Sequence, residues 1–120
     1  MAKDSQILSM NPVELALWLE ENYTYETPIN IDSIDEMKEA GRMLSKISNS
    51  YAYIATLASL AKVMIRVEKR KGKENKENSE DMIDRRDLLQ NKADVLKLQY
   101  QTISRMITVK QEINAEMKMM

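Results

Sequence analysis

The chain contains no histidine, no cysteine and no phenylalanine, and only two glycines, two prolines and one tryptophan in 120 residues. Without His or Cys there is no imidazole base, thiol nucleophile, disulfide, Cys/His zinc site or iron–sulfur centre to consider. Average usage would supply roughly eight glycines and six prolines at this length. Turns are therefore few. Both prolines fall early, at positions 12 and 28, so the 92 residues from Ile29 onward are free of the residue that most disrupts a helix. No run is apolar enough to span a bilayer: the longest, Tyr51 to Ala61, has eleven residues, against roughly 20 for a hydrocarbon core. No secretory leader is expected either, because Asp4, Asn11, Pro12 and Glu14 interrupt the apolar stretch it would need. These absences predict a cytoplasmic chain with no membrane partner.

What is present is helix-forming. Ten methionines accompany many Leu, Ile, Ala, Lys, Glu and Gln residues, a mixture that favours long helices with adaptable cores. Asn11-Pro12-Val13-Glu14 is a strong start signal: an N-cap, a proline preset for the first turn, and a carboxylate that can reach back. A short helix from Pro12 to about Glu21 follows, and Trp18 on its apolar face is expected to anchor it to the body. Ser33 to Glu36 forms a second capping box, opening a helix from Ile34 to about Arg70. The polar run from Lys71 to Ser79 reads as a loop, with Gly72 where a helix C-cap favours glycine. Asn78 or Ser79 would then cap a last helix reaching about Met117.

The fold expected is all-α: a long antiparallel, coiled-coil-like hairpin (31–120, loop near 71–79) preceded by an N-terminal segment (1–30) with a short helix. Each long helix would measure about 55 Å at 1.5 Å per residue. Apolar spacing supports this. One stripe of apolar or small residues runs through Met37, Gly41, Leu44, Ile47, Tyr51, Ile54, Ala58, Ala61 and Ile65. A second, Tyr53, Leu57, Leu60, Met64 and Val67, makes the middle of the helix apolar on two faces. Exposed patches of that size mark interfaces, so these five residues are the candidate surface for assembly into a helical homo-oligomer. The alternative is that the N-terminal helix folds back over them. A third line, Ser48, Ala52, Ala55 and Ser59, holds only small side chains. In the last helix the seam Met82, Leu89, Ala93, Leu96, Tyr100, Ile103, Ile107 slips to Met106, Ile113, Met117 and Met120, the drift expected of a 3.6-residue helix against a 3.5-residue repeat.

The net charge of −1 conceals a division: residues 1–40 carry two cations against nine acids, and residues 41–120 sixteen cations against ten acids. The densest cations, Lys62, Arg66, Lys69, Arg70, Lys71, Lys73 and Lys76, gather where the second helix meets the loop, and the last six are the candidate phosphate contacts. No aromatic residue is interleaved with them, so base stacking is not offered within that run. Carboxylates that share a helix face, such as Asp81, Asp84 and Asp87 or Glu36 and Glu39, are explained by the positive end of a helix dipole. No phosphate-binding glycine loop, nucleophile elbow or calcium loop is present. No enzyme, metal or cofactor is expected.

Two long helices with a basic connection, and a last helix of the type spanning Lys92 to Asn114, resemble the recombination mediators of T-even-like phages (the UvsY family), over about residues 34–117. The resemblance implies an oligomer that binds single-stranded DNA and helps load a recombinase, with the basic tip as the contact. The leading expectation is thus a non-enzymatic phage-type accessory protein in DNA metabolism. The alternatives are an anti-defence inhibitor that blocks a host nuclease through protein contacts, and a virion or scaffolding component. The acidic first forty residues depart from that picture and stand against direct DNA binding unless they are sequestered in subunit contacts.

Overall fold

The computed structural model describes residues 2–72 and 76–119. Four helices follow in order, α1 (Ala2–Leu8), α2 (Pro12–Asn22), α3 (Ile34–Arg70) and α4 (Lys76–Met119), and no strand occurs among the described residues. Helices α3 and α4 pack against each other along their length as an antiparallel hairpin, in a body of 70 × 24 × 23 Å. No described helix is long and apolar enough to cross a membrane.

Local chemistry explains the boundaries. Asn11 Oδ1 accepts from the Glu14 amide at 2.8 Å and opens α2, with Pro12 in the first turn. Ser33 Oγ accepts from the Glu36 amide at 3.0 Å and opens α3. At the far end of α3 the Lys71 amide donates to the Val67 carbonyl at 3.2 Å, and Gly72 turns the chain at a φ of +65°, a left-handed conformation that costs any side-chain-bearing residue about 1–2 kcal/mol.

Two expectations need correction. The chain enters α4 at Lys76, so the connection is shorter than 71–79, and Asn78 and Ser79 lie inside the helix rather than capping it. Acidic and polar residues with good helix propensity, followed by the buried Met82, let the helix begin earlier than the first apolar residue. The second correction is α1, which has no capping or periodic signal strong enough to be read from seven residues. A helix of that length is unstable alone and is held here by Ile7 and Leu8, both buried in the common core.

That core runs the length of the hairpin's middle. Ile47, Ile54, Leu57, Leu89, Leu96 and Ile103 are fully buried, and Leu15, Leu19 and Ile31 from the N-terminal segment join the same cluster. Burying a side chain of this size stabilises by about 1.5–3 kcal/mol each, so the N-terminal segment is held on the hairpin by the interior it shares. Trp18 packs against that core and meets Tyr23 edge-on, ring centres 5.2 Å apart.

Candidate functional site

The heptad rows of α3 and α4 define which side of the hairpin is covered. Arg85, Lys92 and Gln99, seven residues apart on α4, all donate to the N-terminal segment: to the Met10 carbonyl at 3.1 Å, to Thr24 Oγ1 at 3.2 Å and to the Tyr25 carbonyl at 2.7 Å. From α3, Ser50 shares a 2.7 Å hydrogen bond with the Tyr25 hydroxyl, and Tyr53 donates to Asp4 Oδ1 at 2.9 Å. Burial, then the bond to Asp4, pushes the Tyr53 hydroxyl up to about 12, because ionising it would place a second negative charge beside the carboxylate. Burial also raises Tyr23, which lies against Tyr53 with ring centres 6.4 Å apart. The segment that covers this side carries Asp4, Glu14, Glu20, Glu21 and Glu26.

The second apolar stripe of α3 lies on that covered side. Leu57 is fully buried within the single chain and Tyr53 is half-buried under α1, while Leu60, Met64 and Val67 remain 39–40% exposed. Leu8 lines a small space with Ala61, Met64, Met82 and Arg85. The chain's own N-terminal helices therefore occupy the first half of the surface that the sequence offered to a neighbour, and only its end toward the hairpin tip stays open.

The other side of the hairpin is bare. Ser48, Ala55, Ser59, Lys62, Arg66 and Lys69 follow one another at three-, four- or seven-residue intervals, so the small-residue line of α3 runs directly into its cations. From α4, Gln90 accepts from Lys62 Nζ at 3.2 Å, and Lys97, Tyr100 and Gln101 close a cleft of about 380 Å³ with Ser48 and Tyr51. Small side chains leave room above the backbone here, the two tyrosines stand at one end, and the cations stand at the other. Asp94, which borders this side, accepts from Gln90 at 3.0 Å.

Of the cations expected at the tip, Arg66, Lys69, Arg70 and Lys71 are exposed and, among the described residues, form no ion pair within 4 Å. Lys73 lies outside the described residues, and of Lys76 only its place at the start of α4 is described. Sequence reasoning kept Tyr51, Tyr100, Lys97 and Lys62 out of the site. Extending the small-residue line by about three further turns reaches Lys62, Arg66 and Lys69 and would have recovered half of the arrangement. The α4 contribution needed the pairing register. No group of three or more carboxylates among the described residues is placed to hold a metal ion. No family model matches the chain, and neither the curated proteins nor the solved structures give a match.

Proposed function

We propose that this protein is a non-enzymatic cytoplasmic accessory factor in DNA metabolism that holds a single strand along the bare side of its hairpin. The observation that carries this reading is the separation of charge: the acidic N-terminal segment is bonded to one side of the hairpin, and Lys62, Arg66 and Lys69 line the other. The acids that stood against phosphate binding are thereby kept off the cation row. Tyr51 and Tyr100 supply the aromatic faces that the basic run itself lacks, and base stacking on such faces contributes about 1–3 kcal/mol per base without sequence preference. A role of the kind the phage mediators perform, delivering a strand to a recombinase, fits a binder of this type.

Anisotropy titration of a labelled oligothymidine at about 50 and 200 mM salt tests the reading, since three to five phosphate contacts on a single strand give a log–log salt slope of about −2 to −3.5. Binding at the lower salt that weakens along that slope, and that falls at least tenfold in the Lys62→Ala/Arg66→Ala/Lys69→Ala variant, is the expected result. No binding at the lower salt, or no effect of the variant, rejects it.

One observation favours the inhibitor reading instead. On α2, Val13 and Leu17 are 71% and 59% exposed and border a groove of about 470 Å³ with Leu88, Asp84 and Asp87. An acid-rimmed apolar groove suits a basic protein surface such as that of a nuclease. A chain that ignores DNA but captures a basic nuclease, and loses the capture when Leu17 becomes Asp, would transfer the function to this surface.

A further inference from the structure

The tip end of α3 and the groove between α2 and α4 are alike in layout and opposite in charge. On α3, Leu60, Val63, Met64 and Val67 are 40%, 49%, 39% and 40% exposed and recur at three- and four-residue spacing, so they share a face. Arg70 and Lys71, both exposed, continue that face by one turn toward the tip. From 60 to 71 the only acid is the half-buried Glu68. This stripe is therefore apolar first and cationic at its tip end. In the groove, the exposed Val13 and Leu17 of α2 stand with Leu88 and Asp84 of α4. Glu80, exposed one turn beyond Asp84, carries the acidic rim toward the tip, and Asp87 on the same rim is already paired with Arg86 at 2.9 Å. The groove too is apolar first and charged at its tip end, with the other sign.

Heights along the hairpin decide how two copies fit. Lys62 Nζ lies 3.2 Å from Gln90 Oε1, so each step up α3 from Lys62 is level with a step down α4 from Gln90. In two copies lying side by side and pointing the same way, at 1.5 Å per residue, Val63 of one is within about 2 Å in height of Leu88 of the next. Lys71 comes within about 2 Å of the level of Glu80, and Arg70 within about 3 Å of that of Asp84. In a copy turned end over end, the cations reach the acids only when the two apolar parts point away from each other. Stripe on stripe gives Arg70 and Lys71 no acid to meet, and groove on groove opposes acids. Val63 is two positions from the buried Ala61 and Ile65, and Asp87 two positions from the buried Leu89, roughly half a turn in each case. Stripe and groove therefore look outward on opposite flanks of the hairpin. We propose that copies of this chain associate side by side, tips at the same end, with the α3 stripe of one seated in the α2–α4 groove of the next. A pair joined this way still offers one unused stripe and one unused groove, so assembly continues into a ring or an open array. The contact stands or falls independently of nucleic-acid binding.

Sedimentation velocity of the full chain at about 10–100 µM, without nucleic acid, tests it, because a contact this small gives micromolar rather than nanomolar association. Species larger than two copies are expected, and fewer of them at about 500 mM salt than at about 50 mM. Val63→Glu, and independently Leu17→Glu, should return the single chain while far-ultraviolet dichroism stays unchanged, since neither residue is part of the core. Mixed in equal amounts, these two variants should form a pair and go no further, because one retains the groove and the other the stripe. Arg70→Glu/Lys71→Glu should weaken association at least tenfold, and adding Glu80→Lys/Asp84→Lys to the same chain should restore it to within a few-fold of the native value. A single chain throughout, which would leave the groove to a foreign basic surface, overturns the proposal. So does a native assembly that stops at two copies, a pair of variants that do not join when mixed, or a charge reversal that does not restore association.

Discussion

The two long sides of the hairpin are built from the same two helices and differ in almost everything else. On one, bulky apolar residues and long hydrogen-bonding side chains, Tyr53, Leu57, Arg85, Lys92 and Gln99, hold an acidic N-terminal segment. On the other, small side chains and cations face outward, and among the described residues no hydrogen bond ties the N-terminal segment to them. The difference teaches how a chain of nearly zero net charge can present a basic surface: it uses its acids as the cover for one side. Stability should therefore reside on the covered side and binding on the bare one, and the two should be separable by substitution.

The largest effect is expected from emptying the covered side. Leu57→Ala, at a fully buried position where α1, α3 and α4 share one core, should cost about 2–5 kcal/mol in urea unfolding. Ser59→Ala, two residues along on the bare side, should stay within about 0.5 kcal/mol. Next comes the cation row. Replacing Lys62, Arg66 and Lys69 by alanine should leave the unfolding midpoint in place while removing most of the salt dependence of strand binding.

A smaller effect belongs to the contact that ties α1 to α3. Tyr53 keeps its proton up to about 12 in the fold, against about 10 for a free tyrosine. Its contribution is thus fully present below pH 10 and is lost as pH rises toward 12. Absorbance titration should show one tyrosine ionising near pH 12, and Tyr53→Phe should abolish that step and flatten the corresponding fall in stability. Smallest of all, Gly41 lies within α3 with open space where a Cβ would stand, so Gly41→Ala should raise stability by about 0.5–1 kcal/mol. It should do so without touching either side.

Much of this architecture was legible before the coordinates. Asn11 with Glu14 and Ser33 with Glu36 announced the starts of α2 and α3, because a capping box is a local interaction that sequence contains in full. The end of α3 was legible from Gly72 for the same reason. What escaped was tertiary. Helix α1 exists because Ile7 and Leu8 find a core supplied by residues more than forty positions away. The start of α4 moved to Lys76 because polar residues of good helix propensity precede its first buried side chain. The second stripe of α3 read as an open face, since spacing reveals that Tyr53 and Leu57 are apolar partners but not that Asp4 and Tyr23 come back to meet Tyr53. The candidate site was half visible. Arg66, Lys69 and Arg70 were found as charge density, whereas Tyr100 and Lys97 join Tyr51 only through the pairing of α3 with α4.

The central claim is that cations of one helix act differently according to the side they occupy, and a matched pair of variants measures it. Lys38, Arg42 and Lys46 are also on α3, exposed, and share a side with Tyr53. Replacing them with alanine removes the same charge as replacing Lys62, Arg66 and Lys69. With oligothymidine at about 50 mM salt, the bare-side variant should bind at least tenfold more weakly than the native chain, and the covered-side variant should lie within about threefold of it. Equal losses from the two variants, or a native chain that does not bind, would contradict the account.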